Sequence, residues 1–323
     1  MKLIQINRCG GPEVLEWVDA PEPVAGPGQV LVRHTAIGLN FIDTYHRSGL
    51  YPLAFPAGLG MEAAGVVEAV GPGVTTLAAG DRVAYCSPPP GAYAEKRVLA
   101  AERLVSLPAG ISDQVAAAVM LKGLTAWYLL RRSYPVRRGD SVLAYAAAGG
   151  VGLILGQWAA SLGVRAIGVT GTAEKAALAR RNGYAEVLLA DTAGFAARVR
   201  ELTGGEGVAA AYDSIGRDTF TQSLDCLRKH GVMVSYGNAS GPVEPFTPLE
   251  LARRGSLYLT RPSLFDFIAD RAGLEAGTQE LFALIGSGAI KVHVGQTYPL
   301  VETARAHRDL EARRTTGSTL LLP

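Results

Sequence analysis

The chain has 323 residues, of which 48% are hydrophobic and 19% are charged, a composition that excludes an intrinsically disordered protein. Its 31 basic and 29 acidic side chains give a formal net charge of +2. A broad nucleic-acid or anionic-membrane surface needs a surplus of one sign, so the charge balance argues against both kinds of partner.

Three cysteines, Cys9, Cys86 and Cys226, lie far apart in the sequence. An odd, sparse set of this kind does not make a disulfide framework. Residues 1–8 alternate between polar and apolar side chains and predict a strand rather than a signal peptide. We therefore expect a protein of the reducing cytoplasm.

Residues 141–164 contain no charged side chain and could be taken for a membrane helix. A run of glycine and alanine at 147–152 interrupts this stretch, and Gln157 and Ser161 follow it. A parallel strand that is buried on both faces gives the same uninterrupted apolar pattern. The stretch therefore predicts a buried strand, a turn and a helix, with no membrane span.

Turn-forming glycines and prolines divide roughly the first 120 residues into short segments. Runs rich in strand-forming residues lie between them, for example at 30–36, 64–70 and 82–85, whereas Pro-Pro-Pro-Gly at 88–91 predicts a loop. This spacing is typical of an antiparallel barrel or sandwich.

From residue 112 onward, helical periodicity appears at 112–134 and strands then alternate with helices. The six candidate strands are residues 142–146, 166–170, 186–190, 209–214, 232–237 and 256–261. The candidate helices between them are residues 152–162, 174–182, 195–203 and 220–227. This alternation predicts an α/β fold with a doubly wound parallel sheet, followed by a helix near 277–286 and a closing strand at 318–322.

The glycine-rich turn at 147–152 follows the first strand of this series. Backbone N–H groups at such a turn bind a pyrophosphate at the N-terminus of the next helix. Ala147 replaces the first glycine of the usual GxGxxG pattern, and a tight strand-to-helix turn would need the same glycines. The position of the turn favours a dinucleotide site.

The end of the second strand indicates which dinucleotide is bound. Residues 170–173 carry no carboxylate for a ribose hydroxyl, and Lys175 offers a cation to a 2′-phosphate. Glu174 would oppose that phosphate, although a carboxylate in the first turn of a helix is also favoured by the macrodipole. The pattern favours NADP(H).

No zinc site is predicted. None of the three cysteines is spaced as CxxC, and the five histidines are dispersed. A catalytic zinc needs three protein ligands and an open position. We therefore expect the chemistry to proceed without a metal.

Seven segments together carry a resemblance to a known family. They are residues 10–15 (GGPEVL), 38–45 (GLNFIDTY), 47–51 (RSGLY), 122–125 (KGLT), 146–152 (AAAGGVG), 212–216 (YDSIG) and 260–264 (TRPSL). With these segments the chain resembles, nearly end to end, the zinc-free, zeta-crystallin-like quinone oxidoreductases of the medium-chain dehydrogenase/reductase superfamily.

The resemblance implies a GroES-like β-barrel catalytic domain, residues 1–122 and 262–323, with a Rossmann domain, residues 123–261, inserted in it. Asn40 stands where zinc-dependent relatives have a cysteine ligand, and Gly-Met-Glu at 60–62 replaces their Gly-His-Glu. These two differences are a further reason to predict no metal.

The resemblance also implies which residues contact NADP(H). Those expected around the nicotinamide are Asn40, Phe41, Asp43, Tyr45, Thr125 and Tyr128. Those expected at the phosphates are Gly150 and Val151 for the pyrophosphate and Gly171, Thr172, Lys175 and Arg313 for the 2′-phosphoribose. Those expected at the ends of later strands are Ser214, Tyr236, Gly237 and Asn238. Ala190 replaces a tyrosine that close family members have beside the adenosine phosphate, which leaves Lys175 and Arg313 to recognise it.

The activity implied is NADPH-dependent reduction of a quinone. A quinone accepts hydride directly because its reduced form is aromatic, so the protein mainly has to hold the two reactants face to face. Tyr45, Tyr51 and Arg261 are candidates for stabilising the oxygen charge, and Asn40 for positioning substrate or nicotinamide. As alternatives, Tyr51 could only pack, Arg261 could fix a turn before Pro262, and Asp43 could cap the loop at Asn40.

Two other functions compete with this one. The first is NADPH-dependent reduction of an alkenal or enone by the same fold. The second is an NADPH-regulated RNA-binding or structural, crystallin-like role, against which the charge balance argues. The strand at 256–261 would be an exposed sheet edge unless paired, and the resemblance implies a homodimer through it.

Overall fold

A computed structural model describes residues 1–323 and divides them into two compact units. The first unit comprises Met1–Leu124, Ile268–Gly286 and Val292–Pro323, and the second comprises Thr125–Phe267 and Ser287–Lys291. The limits of these units differ by a few residues from the domain limits expected from the sequence, and Ser287–Lys291, expected in the first domain, falls in the second unit. The expected domain limits stay a prediction.

The first unit begins with eight strands and two helices. They are β1 (Lys2–Ile6), β2 (Glu16–Asp19), β3 (Gln29–Leu39), α1 (Phe41–Ser48), β4 (Ala57–Gly58), β5 (Glu62–Val70), β6 (Arg82–Cys86), β7 (Lys96–Ala100), β8 (Val105–Ser106) and α2 (Asp113–Tyr128). Helix α2 runs past the end of the first unit and continues as a wider π-helical turn, Leu129–Ser133.

The second unit alternates strands and helices. They are β9 (Ser141–Ala144), α3 (Gly150–Ser161), β10 (Arg165–Thr170), α4 (Ala173–Arg180), β11 (Glu186–Leu189), α5 (Phe195–Leu202), β12 (Val208–Asp213), α6 (Phe220–Asp225), β13 (Leu227–Ser235), α7 (Leu249–Arg253), β14 (Tyr258–Thr260) and α8 (Leu264–Phe267). The chain then returns to the first unit with α9 (Arg271–Gly286), β15 (Val294–Pro299), α10 (Thr303–Glu311) and β16 (Ser318–Leu322).

The first unit is built on a seven-stranded sheet in the order β15-β16-β3-β5-β6-β8, with β7 also paired to β3. All its pairs are antiparallel except β15 with β16. Strands β2, β1 and β4 form a second, antiparallel sheet. Side chains from β1, β3, β5 and β6 pack into one apolar core, with Ile6, Val32 and Tyr85 fully buried in it. The prediction of short antiparallel strands in this part of the chain is confirmed.

The second unit contains a six-stranded parallel sheet in the order β11-β10-β9-β12-β13-β14. The order reverses direction at β9, which is the doubly wound arrangement of dinucleotide-binding proteins. Every residue of β12 is buried, as expected for a strand covered on both faces. The predicted doubly wound sheet is confirmed.

Some element limits differ from those predicted. The last strand of the sheet is shorter than 256–261, because Gly255 and Ser256 both have positive φ and turn the chain before β14. Helix α9 begins earlier than the predicted residue 277, and α1, which follows Asn40 directly, was not predicted.

The uncharged stretch at 141–164 forms β9, a turn and α3, as predicted. Across the whole chain, helices lack the combination of length and apolar character that spanning a bilayer requires.

Candidate functional site

The glycine-rich turn of the second unit joins β9 to α3. Gly149 has extended backbone angles and precedes the first helical residue, Gly150, and its N–H donates to the carbonyl of Ala146 over 2.8 Å. A Cβ atom at Gly152 would overlap that same carbonyl oxygen, so only glycine fits there. Because the first N–H groups of a helix have no partner within it, the turn offers donors to an anion.

The end of β10 provides an open, small-residue surface. A Cβ atom at Gly171 would meet no atom within 4 Å. Thr172 caps α4, since its Oγ1 accepts a 3.3 Å hydrogen bond from the backbone N–H of Lys175. The pKa of the exposed Glu174 is lowered by a hydrogen bond from its own backbone N–H and by Thr172. Glu174 therefore suits the helix N-terminus, while Gly171 and Thr172 leave room for a phosphate.

The ends of β12 and β13 lie side by side at the same edge of the sheet. Asp213 accepts hydrogen bonds from the backbone of Ile215 (2.8 Å) and Gly216 (3.1 Å), and this fixes the turn that carries Ser214. A Cβ atom at Gly237 would overlap the carbonyl oxygen of Ser214. The structure therefore brings the predicted residues Ser214 and Gly237 together.

Two further predicted residues of this unit also meet. In its preferred orientation, the Asn238 amide oxygen accepts a 3.2 Å hydrogen bond from Nη2 of Arg261. Nη1 of Arg261 also donates to the carbonyl of Pro262 over 3.1 Å, so the turn-fixing alternative is present in the structure.

Tyr128 stacks on Phe267 with ring centroids 4.9 Å apart, and Thr125 is buried on the same helix α2.

Asn40 of the first unit lies between the end of β3 and the start of α1. Its backbone N–H donates to Oδ2 of Asp43 over 2.9 Å, which is the capping role considered for Asp43. Its side-chain Nδ2 donates to Oε1 of Glu62 over 2.8 Å. Nζ of Lys122 donates to the same Glu62 oxygen over 2.6 Å, and Glu62 is completely buried. Asn40 is thus held by two carboxylates from different elements.

Behind Asp43 lies a buried chain of hydrogen bonds. The Tyr93 hydroxyl donates to Asp43 over 2.7 Å, and its oxygen lies 3.1 Å from Nε2 of His307. Nη1 of Arg47 lies 3.0 Å from Nδ1 of His307, and the Arg47 guanidinium pairs with Glu311 at 2.6 Å. Because Arg47 can only donate, Nδ1 accepts and the proton of a neutral His307 is on Nε2.

Burial shifts two titratable groups of this hydrogen-bond series, Asp43 and His307, toward their neutral forms. It raises the pKa of Asp43 to about 7, an effect that the Tyr93 hydroxyl partly opposes. Burial, together with the Arg47 charge, lowers the pKa of His307 to about 3. Oδ1 of Asp43 is buried without a hydrogen-bond partner. These groups stabilise the backbone that presents Asn40, so the geometry supports a role for Asp43 behind Asn40.

Three aromatic side chains cluster at α1. The rings of Tyr45 and Tyr51 meet edge to face at 5.4 Å, and Phe41 lies 6.4 Å from Tyr45. The Tyr51 ring also contacts the His46 ring, with centroids 5.8 Å apart, so Tyr51 has the packing role considered as its alternative.

The predicted residue Arg313 is exposed and has a positive φ of 59° in a turn near the C-terminus.

The residues around Asn40 do not fit a zinc site. The chain contains no group of three or more His, Cys, Asp or Glu side chains arranged to hold a metal ion. At the positions where zinc-dependent relatives carry ligands, 40 and 60–62, Glu62 is the one carboxylate. Its oxygens already accept hydrogen bonds from Nζ of Lys122 and from the backbone N–H of Leu121. The ammonium group of Lys122 on the Glu62 carboxylate opposes a second cation there.

Most of the groups that support Asn40 were not predicted from the sequence. They are Arg47, Glu62, Tyr93, Lys122 and His307. Arg47, Glu62 and Lys122 lay within segments compared with the family, which was the only signal. Tyr93 and His307 could not be found, because 214 residues separate these hydrogen-bonded partners.

Comparisons with known proteins agree with this architecture. Residues 26–109 match the family model described as alcohol dehydrogenase GroES-like domain, and residues 150–282 match the model described as zinc-binding dehydrogenase. The chain is 54% identical to a quinone oxidoreductase of Pseudomonas aeruginosa, over 100% of this chain and 99% of that protein. It is 46% identical to a 2-haloacrylate reductase of a Burkholderia species, over 98% of both chains.

Among solved structures, the crystal structure of Escherichia coli quinone oxidoreductase in complex with NADPH superimposes with a TM-score of 0.98 at 48% identity, covering 100% of both chains. The predicted combination of a GroES-like domain with a Rossmann sheet is confirmed. The chain therefore belongs to the quinone oxidoreductase family of the medium-chain dehydrogenase/reductase superfamily.

Proposed function

We propose that this protein is an NADPH-dependent quinone reductase that transfers hydride without a metal. The observation that carries the proposal is the full-length likeness, at a TM-score of 0.98, to a quinone oxidoreductase that was crystallised with NADPH. The open helix N-terminus at Gly150 and the small residues at the end of β10 independently support a dinucleotide phosphate site.

When bound, NADPH would supply the hydride, and the residues of this chain would hold and orient it. In the second unit, Gly150 and Val151 would donate to the pyrophosphate, and Gly171, Thr172 and Lys175 would hold the 2′-phosphoribose. Further contacts proposed from the resemblance are Ser214, Tyr236, Gly237, Asn238, Thr125 and Tyr128 of the second unit, and Asn40, Phe41, Asp43, Tyr45 and Arg313 of the first. Because the side chain of Ala190 has no hydrogen-bonding group, Lys175 and Arg313 would carry recognition of the phosphate.

Reduction of a quinone places negative charge on its oxygen, so nearby donors would accelerate the reaction. We propose Tyr45, Tyr51 and Arg261 for this role, each of which carries an O–H or N–H donor. Asn40 would position the reactants. Variants Tyr51→Phe and Arg261→Ala test these roles, and unchanged turnover in both would remove the two residues from the mechanism.

The decisive experiment follows the loss of NADPH absorbance against a panel of benzoquinones and naphthoquinones, repeated with NADH. We expect turnover with NADPH and quinones, and weaker turnover with NADH. Binding of NADPH without oxidation by any quinone would contradict the proposed activity.

A second candidate function is reduction of an activated alkene. The 2-haloacrylate reductase that is 46% identical over nearly the whole chain favours it. Both reactions need a hydride and a polarised carbonyl group, so the assay should compare quinones with 2-alkenals, enones and 2-haloacrylate in parallel. A higher kcat/KM for the alkenes would replace the quinone proposal with this one.

We also propose a homodimer formed through β14. This strand lies at the edge of the parallel sheet, where Tyr258 is 61% and Leu259 is 37% exposed. An unpaired edge with apolar side chains is suited to pairing with a second copy. Sedimentation of wild type near twice 33.8 kDa, and of Leu259→Lys near 33.8 kDa, is the expected result, whereas a monomeric wild type would contradict it.

A cytoplasmic location is proposed as well. Its support is that Cys9, Cys86 and Cys226 are all free thiols, which suits a reducing compartment. Fractionation of the source cells checks this, and enrichment outside the cytoplasm would contradict it.

A further inference from the structure

The NH₂ end of the Asn40 side-chain amide is engaged by the protein, whereas its oxygen keeps acceptor capacity for a ligand. Nδ2 donates to Oε1 of Glu62 over 2.8 Å and, more weakly, to the carbonyl of Gly38 over 3.4 Å. Oδ1 faces the backbone N–H of Asp43 in the capping box at the start of α1, and it is not among the enclosed polar atoms without a partner. An amide oxygen has two lone pairs, so Oδ1 can accept a second hydrogen bond. The oxygen is therefore the atom that Asn40 offers to a ligand.

Two contacts of Glu62 explain this orientation. Nζ of Lys122 lies 2.6 Å from Oε1, and the backbone N–H of Leu121 donates to Oε2 over 2.5 Å. A carboxylate accepts hydrogen bonds and cannot donate them, so it faces the NH₂ end of the Asn40 amide. The ammonium group compensates the charge of Glu62, which has no exposed surface.

We propose that Glu62 and Lys122 are positioning residues that hold Asn40 as a hydrogen-bond acceptor for an N–H or O–H group of the nicotinamide nucleoside. This inference rests on the proposed function. The oxygens of a quinone only accept hydrogen bonds, so a quinone offers nothing to Oδ1 of Asn40. The nicotinamide carboxamide and the ribose hydroxyls are donors, so the cofactor is the partner that fits.

The double variant Glu62→Gln/Lys122→Met tests the orientation directly. Both charges disappear together, so no unpaired charge stays buried and the fold is expected to survive. The introduced amide has a single oxygen, which the N–H of Leu121 requires, and its NH₂ group then faces Asn40. This arrangement favours a reversed Asn40 amide, with NH₂ toward the ligand.

The readout is the Kd for NADPH, measured by fluorescence titration without an acceptor. Loss of one hydrogen bond predicts a five- to tenfold rise, about what one net hydrogen bond contributes. The KM for the quinone at saturating NADPH should change less than about twofold. The matched control is Arg82→Met/Asp113→Asn, which neutralises another 2.6 Å ion pair of the same unit that does not contact Asn40. Its Kd should equal that of wild type.

Combining the double variant with Asn40→Ala shows whether Glu62 and Lys122 act on NADPH binding through Asn40 or only stabilise the structure. Asn40→Ala alone should raise the Kd to a similar extent, and adding it to the double variant should produce little further change. The inference would be overturned if the effects of Asn40→Ala and of the double variant on the Kd multiplied. It would also be overturned by an unchanged Kd in the double variant, or by a change confined to the KM for the quinone.

A second pair of variants covers a failure of the double variant to fold. Lys122→Arg keeps a cation on Glu62 and should bind NADPH nearly as wild type does. Glu62→Asp keeps both charges but shortens the carboxylate side chain by one methylene group, which withdraws it from Asn40, and should weaken binding. Equal Kd values for the two variants would overturn the inference. If the Kd values show the coupling but the wild-type protein reduces no quinone, only the proposed function is contradicted. If the wild-type protein reduces quinones but the Kd values show no coupling, only this inference is contradicted.

Discussion

The hydroxyl group of Tyr93 donates a 2.7 Å hydrogen bond to Oδ2 of Asp43. Both side chains are buried, and His307 contacts the same hydroxyl from the other side at 3.1 Å. One hydroxyl therefore connects a carboxyl group whose pKa is raised to about 7 with an imidazole whose pKa is lowered to about 3. These shifts have opposite consequences for stability, and each can be measured.

The free energy of unfolding of the Asp43→Asn variant should rise more steeply with pH than that of wild type. In the folded protein Asp43 keeps its proton up to a pKa of about 7, whereas the unfolded chain releases it near 3.8. Between these values the folded state binds more protons, so Asp43 makes the free energy of unfolding fall as pH rises, by up to about 1.4 kcal/mol per pH unit. Asparagine does not ionise, so the variant lacks this fall.

Urea unfolding at several pH values between about 4 and 7 measures the slope. Asp309→Asn is the control, because a hydrogen bond from Tyr298 lowers the pKa of Asp309 below this window. A slope for Asp43→Asn equal to that of wild type would mean that Asp43 is ionised throughout.

His307→Gln should have the opposite effect on the slope. Folded His307 stays neutral down to a pKa of about 3, whereas the unfolded chain takes up its proton near 6.5. Between these values the unfolded state binds more protons, so His307 makes stability rise with pH and fall on acidification. The variant should lose that dependence, and the double variant with Asp43→Asn should return close to the wild-type slope. Two slopes that move in the same direction would refute this account.

Gly152→Ala should destabilise the second unit. Its methyl group would overlap the carbonyl oxygen of Ala146, and backbone cannot move aside as a side chain can. Overpacking of this kind costs about 1–3 kcal/mol. Gly171→Ala is the matched comparison, because its methyl group enters open space, so its melting temperature should equal that of wild type. Equal melting temperatures for both variants would show that the turn relaxes.

Lys175→Ala should change the choice between cofactors. If Lys175 holds the 2′-phosphate, its removal should raise the KM for NADPH about tenfold, as expected for the loss of a charged hydrogen bond, and leave the KM for NADH unchanged. Steady-state kinetics with both cofactors check this, with NADH as the internal control. An equal change for both would assign Lys175 to another part of the site.

Much of the fold could be predicted because it depends on local patterns. Alternation of strands with helices after residue 112 indicated the parallel sheet, and glycine at 149, 150 and 152 indicated the turn before α3. Resemblance to a family indicated Asn40 and the residues at the strand ends. Limits of short elements were less predictable, since β14 begins only after a turn in which Gly255 and Ser256 have positive φ.

The amino-acid sequence by itself determined the periodicities, the glycine positions and the shortage of metal ligands, because these are properties of neighbouring residues. Only the tertiary structure decided that Lys122 neutralises Glu62 and that Glu62 turns the Asn40 amide. It also decided that Asp43 and His307 share the hydroxyl of Tyr93. The physical reason is that burial and hydrogen bonding depend on atoms brought together from distant parts of the chain, and one sequence does not specify which distant partners meet.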